Sequence, residues 1–312
     1  MTKRRIVITG AAGLIGQNLV TRLKGRDDVE LVCLDKHAAN CAIFRRLHPD
    51  VTLIEADLAR PGDWAGSFAG ADQLVLNHAQ IGALTEDPFI ANNVTATEHV
   101  LAAAQEHGIG YVVHISSSVV NSLADDFYTR SKTAQEKMVL DAGLPTAVLR
   151  PTLMFGWFDR KHLGWLGRFM RRMPVFPVPN QGRYIRQPLY AGDFCDIIIA
   201  CLDVPRPGEI HNISGQEKVH YIDLIRLLKR SAKGGAVILK IPYSLFWGLL
   251  WLYGKISSDP PFTTRQLEAL VIPEEFEIID WPGLFDVSAT PVAAALEETW
   301  SHPDYSEIVL EF

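Results

Sequence analysis

Cysteine is scarce in this sequence. Only Cys33, Cys41, Cys195 and Cys201 occur in 312 residues, with no C-x-x-C pair and no histidine-rich neighbourhood. That argues against a disulfide framework or a zinc site and fits a reducing compartment, so a cytoplasmic location is expected and no metal. Positive charge is also in short supply. A net charge of −6 excludes a nucleic-acid binder held mainly by phosphate contacts. No apolar run reaches the roughly 20 residues that span a bilayer. The richest, over 241–256, holds Phe246, Trp247, Leu249, Leu250, Trp251, Leu252 and Tyr253. It is expected to form a helix buried in a smaller lobe or under a partner, with interfacial membrane contact as the alternative. Lys3-Arg4-Arg5 before an apolar run imitates a secretion signal, but glycines punctuate that run and a helical pattern follows it. Repeats and low-complexity segments are missing too.

What the chain does have begins at Ile6-Val7-Ile8-Thr9-Gly10-Ala11-Ala12-Gly13-Leu14-Ile15-Gly16. A buried strand delivers the backbone to a glycine turn, and the turn opens a helix with Leu19, Val20 and Leu23 on its apolar face. Glycines at that junction let the backbone approach a pyrophosphate, and the free N–H groups and helix dipole attract its charge. The spacing is G-x-x-G-x-x-G, which departs from the commoner G-x-G-x-x-G. A tight turn alone is the plain alternative. A second strand, 29–34, ends at Asp35, about 20 residues past the glycines, where a carboxylate can accept from an adenine ribose and repel a 2′-phosphate. Asp35 therefore favours NAD, while the adjacent Lys36 leaves NADP open; the alternative for Asp35 is a strand-end turn residue.

Strands are expected at 51–55, 73–76, 111–115 and 146–149, with helices at 88–105 and from about 128 onward. Their alternation implies an α/β fold, a doubly wound parallel sheet of Rossmann type with a smaller C-terminal substrate-binding lobe. The boundaries follow as 1–153 for the dinucleotide domain, with 188–203 returning to it, and 154–187 plus 204–312 for the lobe. Aromatics, prolines and arginines crowd 155–186, a texture suited to a lid or pocket. Helices are expected at 193–202, 221–228 and 292–298.

Tyr128 and Lys132 sit four apart on one helical face. A phenol works as an acid or base at a carbinol only if its pKa falls toward working pH, and a nearby ammonium supplies that shift. Ser116-Ser117-Ser118, at the end of the strand just upstream, offers a hydroxyl to polarise the same substrate oxygen.

These residues resemble a family. Thr9-Gly10-Ala11-Ala12-Gly13-Leu14-Ile15-Gly16, Asp57-Leu58, Asn92-Asn93-Val94, His114-Ile115-Ser116-Ser117-Ser118 and Tyr128-x-x-x-Lys132 look like the extended short-chain dehydrogenase/reductases. Leu149-Arg150-Pro151 and Asn212-Ile213-Ser214-Gly215 fit as well. The nearest branch is that of nucleotide-sugar epimerases and reductases with their sterol-dehydrogenase-like relatives. The resemblance implies Tyr128 as catalytic acid/base, Lys132 as the group that lowers its pKa and holds the nicotinamide ribose, and Ser117, in preference to Ser118, as the orienting hydroxyl. It also implies that Asp57 and Leu58 contact adenine and that Asn93 braces the active-site strands. The expected cofactor set is Gly10, Ala12, Gly13, Leu14, Ile15, Gly16, Asp35, Lys36, Asp57, Leu58, Asn77, His78, Ala79, Asn93, Ile115, Tyr128, Lys132 and Pro151. The expected substrate set is Ser117, Ser118, Gln80 and Arg186. Arg186 stands where the family's diphosphate-gripping arginine would be, with a surface arginine as the alternative. Arg160, Lys161 and Arg168 are expected as solvated or lid charges. A homodimer paired through helices that include the one bearing Tyr128 is implied too.

Three departures bear on the substrate. Only eleven positions separate Ser117 from Tyr128, so the intervening loop is short; Val120-Asn121-Ser122 replaces Val-Tyr-Gly; and Leu153 stands where the epimerases place a sugar-binding asparagine. Ser118-Val119 replaces the Asp-Glu of the dehydratases, which argues against dehydration. The leading expectation is an NAD-dependent oxidoreductase or epimerase of a nucleotide-diphosphate sugar, as in polysaccharide biosynthesis. The alternatives are an NAD(P)H-dependent 4-keto-sugar reductase, a dehydrogenase of a sterol- or lipid-like hydroxyl, and a non-catalytic nucleotide-binding subunit.

Overall fold

The computed structural model describes residues 3–256 and 263–311. β1 (Arg4–Thr9) passes through the glycine turn into α1 (Leu14–Leu23), and β2 (Val29–Asp35), α2 (Ala38–Leu47) and β3 (Thr52–Glu55) complete the first half. A 3-10 stretch at Asp63–Phe68 precedes β4 (Gln73–Leu76). α3 (Asp87–Phe89) runs through a π-helical turn, Ile90–Thr95, into α4 (Ala96–Glu106), followed by β5 (Tyr111–Ile115), α5 (Phe127–Asp141) and β6 (Thr146–Pro151). Then come β7 (Met154–Phe155), α6 (Leu163–Arg172), β8 (Val175–Pro179), β9 (Ile185–Arg186), β10 (Leu189–Tyr190) and α7 (Ala191–Asp203). The chain ends with β11 (Ile210–Ile213), β12 (Val219–His220), α8 (Tyr221–Ser231), β13 (Val237–Ile241), α9 (Tyr243–Ile256), α10 (Thr264–Val271), α11 (Trp281–Phe285) and α12 (Val292–Ser301).

Seven strands form one parallel sheet in the order β11-β6-β5-β4-β1-β2-β3. β1, β4 and β5 are apolar on both faces because helices cover both. Ile6, Ile8, Leu19, Phe44, Phe194 and Ile198 pack one side with α1, α2 and α7. Val7, Leu74, Val100, Leu101 and Val139 pack the other with α4 and α5. The strand order reverses between β1 and β4, so a crevice opens at their C-terminal ends.

Three features differ from the sequence expectations. β11 pairs with β6, so the segment returning to the sheet runs through Ile213 and beyond the expected 203. The stretch 155–186 is more regular than a lid: Phe155, Met170, Phe176 and Val178 are core residues of the smaller lobe, joined there by Leu224, Ile225 and Leu296. Trp157 and Phe158 pack on Tyr305 and Leu310. Finally, α9 is not buried in the lobe. Among its residues only Phe246 is buried, because the helix is apolar on every face and can present only one of them to the lobe.

Candidate active site

The glycine turn is shaped by close approach. Gly10 sits at φ +64°, and a Cβ there would stand 2.7 Å from the His78 Cα. A Cβ on Gly16 would lie 2.4 Å from the Gly10 carbonyl oxygen. Side chains at either position would fill the space where β1, β4 and α1 meet. Gly13 is the N-cap of α1 and has no side chain to cap it, so the first-turn N–H groups of Leu14, Ile15 and Gly16 stay open toward the crevice. These features fit a dinucleotide pyrophosphate.

Asp35, at the end of β2, accepts from the Ala12 N–H (2.9 Å) and the His37 N–H (2.9 Å). Burial pushes its carboxyl up, against the pull of those backbone donors. Lys36 reaches across to Asp57 (3.3 Å) and Asn92 (2.5 Å), so its ammonium already has two partners. Asp57 also accepts from the Ala59 N–H, and Leu58 is buried just beyond β3.

At the end of β4, Asn77 Nδ2 donates to the Gly10 carbonyl (3.1 Å), closing the turn from the opposite strand. His78 faces inward. Its Nδ1 meets Thr9 Oγ1 (2.9 Å) and its Nε2 meets Thr97 Oγ1 (3.0 Å), and burial lowers its pKa to about 3, so the ring stays neutral. Gln80 Oε1 accepts from Asn92 Nδ2 (2.8 Å). Asn93, fully buried in the π turn, accepts from the Gln80 N–H (2.6 Å) and donates to Ser131 Oγ (2.9 Å). It therefore ties the end of β4 to α5.

α5 begins at Asp126, whose carboxylate accepts from the Thr129 N–H (2.9 Å). That cap fixes the first turn and with it Tyr128. Burial pushes the Tyr128 phenol up, and the neighbouring Ser117 side chain opposes that shift. One turn on, Lys132 is 1% exposed. Its Nζ donates to the Ile115 carbonyl (3.0 Å) and to Gln135 Oε1. Burial lowers the Lys132 ammonium to about 7. Ser118 starts a 3-10 turn, Ser118–Asn121, beyond which the shortened loop is exposed.

A set of polar residues outside the expected site supports this group. Gln135 Nε2 donates to Thr97 Oγ1 (2.8 Å), so Thr9, His78, Thr97 and Gln135 form one buried chain of hydrogen bonds ending on Lys132. Beside it, Ser116 Oγ donates to Glu136 (2.5 Å), and Arg150 pairs with the same carboxylate, which holds that carboxyl below its ordinary range although burial opposes this. The signal available in the sequence was Gln135-Glu136, two polar residues on a face of α5 that also carries Ser131 and Lys132.

Pro151 closes β6 beside Ile213. Arg186 is held in the smaller lobe, beside the Tyr184 and Tyr221 rings. Its guanidinium donates to the carbonyls of Ile185 (2.9 Å), Ile272 (2.8 Å) and Leu270, stacks 5.0 Å from the Tyr184 ring and stands 3.8 Å from Glu274. It is 7% exposed and caps the C-terminal end of α10. In this conformation the donors expected for a diphosphate are engaged by backbone oxygens. Arg168 donates to the Asp159 and Arg160 carbonyls.

A family model described as the NAD dependent epimerase/dehydratase family matches residues 6–214. A 2-alkyl-3-oxoalkanoate reductase of Stenotrophomonas maltophilia (strain K279a) is 31% identical, over 88% of this chain and 91% of that protein. A dTDP-glucose 4,6-dehydratase of Actinoplanes sp. (strain ATCC 31044 / CBS 674.73 / SE50/110) is 25% identical, over 72% of this chain and 80% of its own. Among solved structures, UDP-glucuronic acid 4-epimerase from Bacillus cereus in complex with NAD superposes with a TM-score of 0.68 at 21% identity, covering 76% of this chain and 87% of that one.

Proposed function

This chain belongs to the NAD-dependent epimerase/dehydratase family, and from that premise we propose that it reduces the keto group of a largely apolar 3-oxoacyl-type substrate. The observation that carries the reading is the buried Lys132, one helical turn from Tyr128, with its Nζ donating to the Ile115 carbonyl (3.0 Å) two residues before Ser117. The cofactor of the family is NAD. When bound, it supplies the hydride for reduction or receives it in the reverse direction. The uncapped start of α1 would hold its pyrophosphate, Asp35 its adenine ribose, Asp57 and Leu58 the adenine side, and Lys132 the nicotinamide ribose.

The chain's own contribution is the proton. Burial keeps Tyr128 a phenol, the form a general acid needs. Its hydroxyl gives that proton to the substrate oxygen as negative charge builds there, and the Ser117 hydroxyl donates a second hydrogen bond to the same oxygen. Lys132, when charged, stabilises the phenolate left behind. The phenol is the starting state for reduction, whereas oxidation first requires its ionisation.

Two features favour an apolar substrate over a nucleotide sugar. The Arg186 donors are engaged by the carbonyls at the end of α10, and Leu153 is 44% exposed where the epimerases place asparagine. The 3-oxoalkanoate reductase is also the more similar of the two relatives named above. A nucleotide-diphosphate sugar is the second reading, favoured by the sugar-nucleotide dehydratase and requiring Arg186 to leave those carbonyls. Loss of nicotinamide absorbance from NADH or NADPH with a 2-alkyl-3-oxo acid, abolished by Tyr128→Phe, supports the first. Turnover of a keto sugar nucleotide alone, or NAD that survives gel filtration while sugar epimers interconvert, overturns it. We further propose that the enzyme is a homodimer paired through α4 and α5.

A further inference from the structure

α9 carries an apolar stripe on the wrong side for a lone globular chain. Leu245, Leu249, Leu252 and Ile256 follow one another at helical spacing, and all four are exposed, Ile256 by 80%. Trp251 and Tyr253 flank the stripe and are about half exposed (51% and 48%). The side toward the protein is served by the buried Phe246 and by Trp247, whose indole donates to Glu268 (2.9 Å). β13 leads into this helix with Val237 and Leu239 exposed as well.

The charge along the same stretch has one sign. Lys240 precedes α9 and Lys255 lies on its last turn, with no carboxylate between them, in a chain whose net charge is −6. Lys255 lies 5.4 Å over the Trp251 ring, a cation and an amphipathic aromatic at the exposed end of the helix. We propose that α9 docks on the surface of an anionic lipid bilayer, with its leucine stripe in the interface and these cations against the headgroups.

Length and charge decide against two other occupants. Fourteen residues make a helix of about 21 Å, too short for a hydrocarbon core of about 30 Å. Among the described residues no helix is long and apolar enough to cross a membrane. A second copy seated on the stripe would set like charges against like, along a seam of two heptads where a coiled coil takes three or four. The surface is independent of which keto substrate the enzyme takes. α10 follows α9 in the chain and its terminal carbonyls hold Arg186, so docking would bring the substrate-binding lobe close to the lipid.

Flotation of the full chain with vesicles tests this. Wild type is expected to float with an equal mixture of phosphatidylcholine and phosphatidylglycerol, more weakly with phosphatidylcholine alone, and less at high salt. The triple variant Leu249→Ser, Trp251→Ser, Leu252→Ser should partition about tenfold less or weaker still, and Lys240→Glu with Lys255→Glu should remove the preference for the anionic mixture. NADH-induced thermal stabilisation of each variant shows that the fold persists. Wild type left in the aqueous fraction with the mixed vesicles, or a triple variant that floats as well as wild type, overturns the proposal. So does a wild type that ignores vesicles and self-associates in a way the triple variant does not, since the stripe then covers a second copy.

Discussion

At the scale of single residues, the site contrasts two ionisable groups one helical turn apart, the half-buried Tyr128 and the buried Lys132. Tyr128 is held as a phenol by burial, with Ser117 pulling the other way, and Lys132 is lowered to about 7 by burial. Tyr128→Phe removes the proton donor and leaves the crevice intact. Turnover is expected to fall by about 10²–10⁴-fold, while the NADH-induced rise in melting temperature is retained. Loss of both together would assign Tyr128 to the fold. Lys132 makes a separate prediction for the cofactor-free protein. In the unfolded chain its ammonium keeps its proton to about pH 10, whereas in the fold it releases it near 7. Between those values the unfolded state binds more protons, so this group makes stability rise with pH. Below that window both states are protonated, and the desolvation penalty is fully present. Urea midpoints of wild type relative to Lys132→Met should therefore climb from about pH 7 to about pH 9 and run level below about pH 6. A flat difference across the upper window would mean that the ammonium is solvated.

At the scale of elements, the glycine turn joins β1, β4 and α1 at van der Waals distance. Gly10→Ala combines positive φ with a Cβ 2.7 Å from the His78 backbone. The cost expected is about 1–3 kcal/mol, read as a lowered urea midpoint, together with loss of NADH-induced stabilisation. An alanine variant that keeps both would show that the turn opens to accept it. The turn was legible in the sequence because every part of it lies within eleven consecutive residues, as was the Tyr128–Lys132 pair on one helical face. The buried chain Thr9–His78–Thr97–Gln135 was not, because its four members come from β1, the end of β4, α4 and α5 and meet only once the sheet is wound. The same reason hides Arg186. Its position in the chain matched a family pattern, but two of its carbonyl partners lie more than 80 residues later, and no local pattern announces such a capping contact. β11 was missed because four residues of which only Ile213 is buried give little strand signal until β6 is there to pair with them. α9 was legible as a helix, but not that it is left unburied within this chain, since periodicity cannot say which apolar face finds a partner.

At the scale of the whole molecule, the outer faces of α4 and α5 leave a groove of about 590 Å³. Leu101, Ala102, Ala134, Met138 and Ala142 line it, with Glu98, Lys137 and Asp141 among the charges around them. Small residues at 102 and 134 let a second pair of helices approach closely, and a two-fold axis through the groove would make the surface complementary to itself. Across that axis Lys137, which pairs with Asp141 in the monomer, can also meet a partner carboxylate such as that at position 98. The arrangement has a mechanical consequence, because α5 also carries Tyr128 and Lys132. In the proposed dimer, packing its outer face would hold the helix that positions both side chains. Light scattering is expected to give twice the chain mass, and the melting temperature should rise with protein concentration. Ala134→Arg places a long cation on an exposed position of the groove, where it disturbs nothing within one protomer. It should yield a monomer that still binds NADH and whose melting temperature no longer depends on concentration, with turnover reduced through the looser α5. A wild type of single-chain mass at every concentration would leave α4 and α5 as an ordinary solvated face, and the order of α5 would then rest on contacts within one protomer, among them Asp126, Asn93 and Glu136.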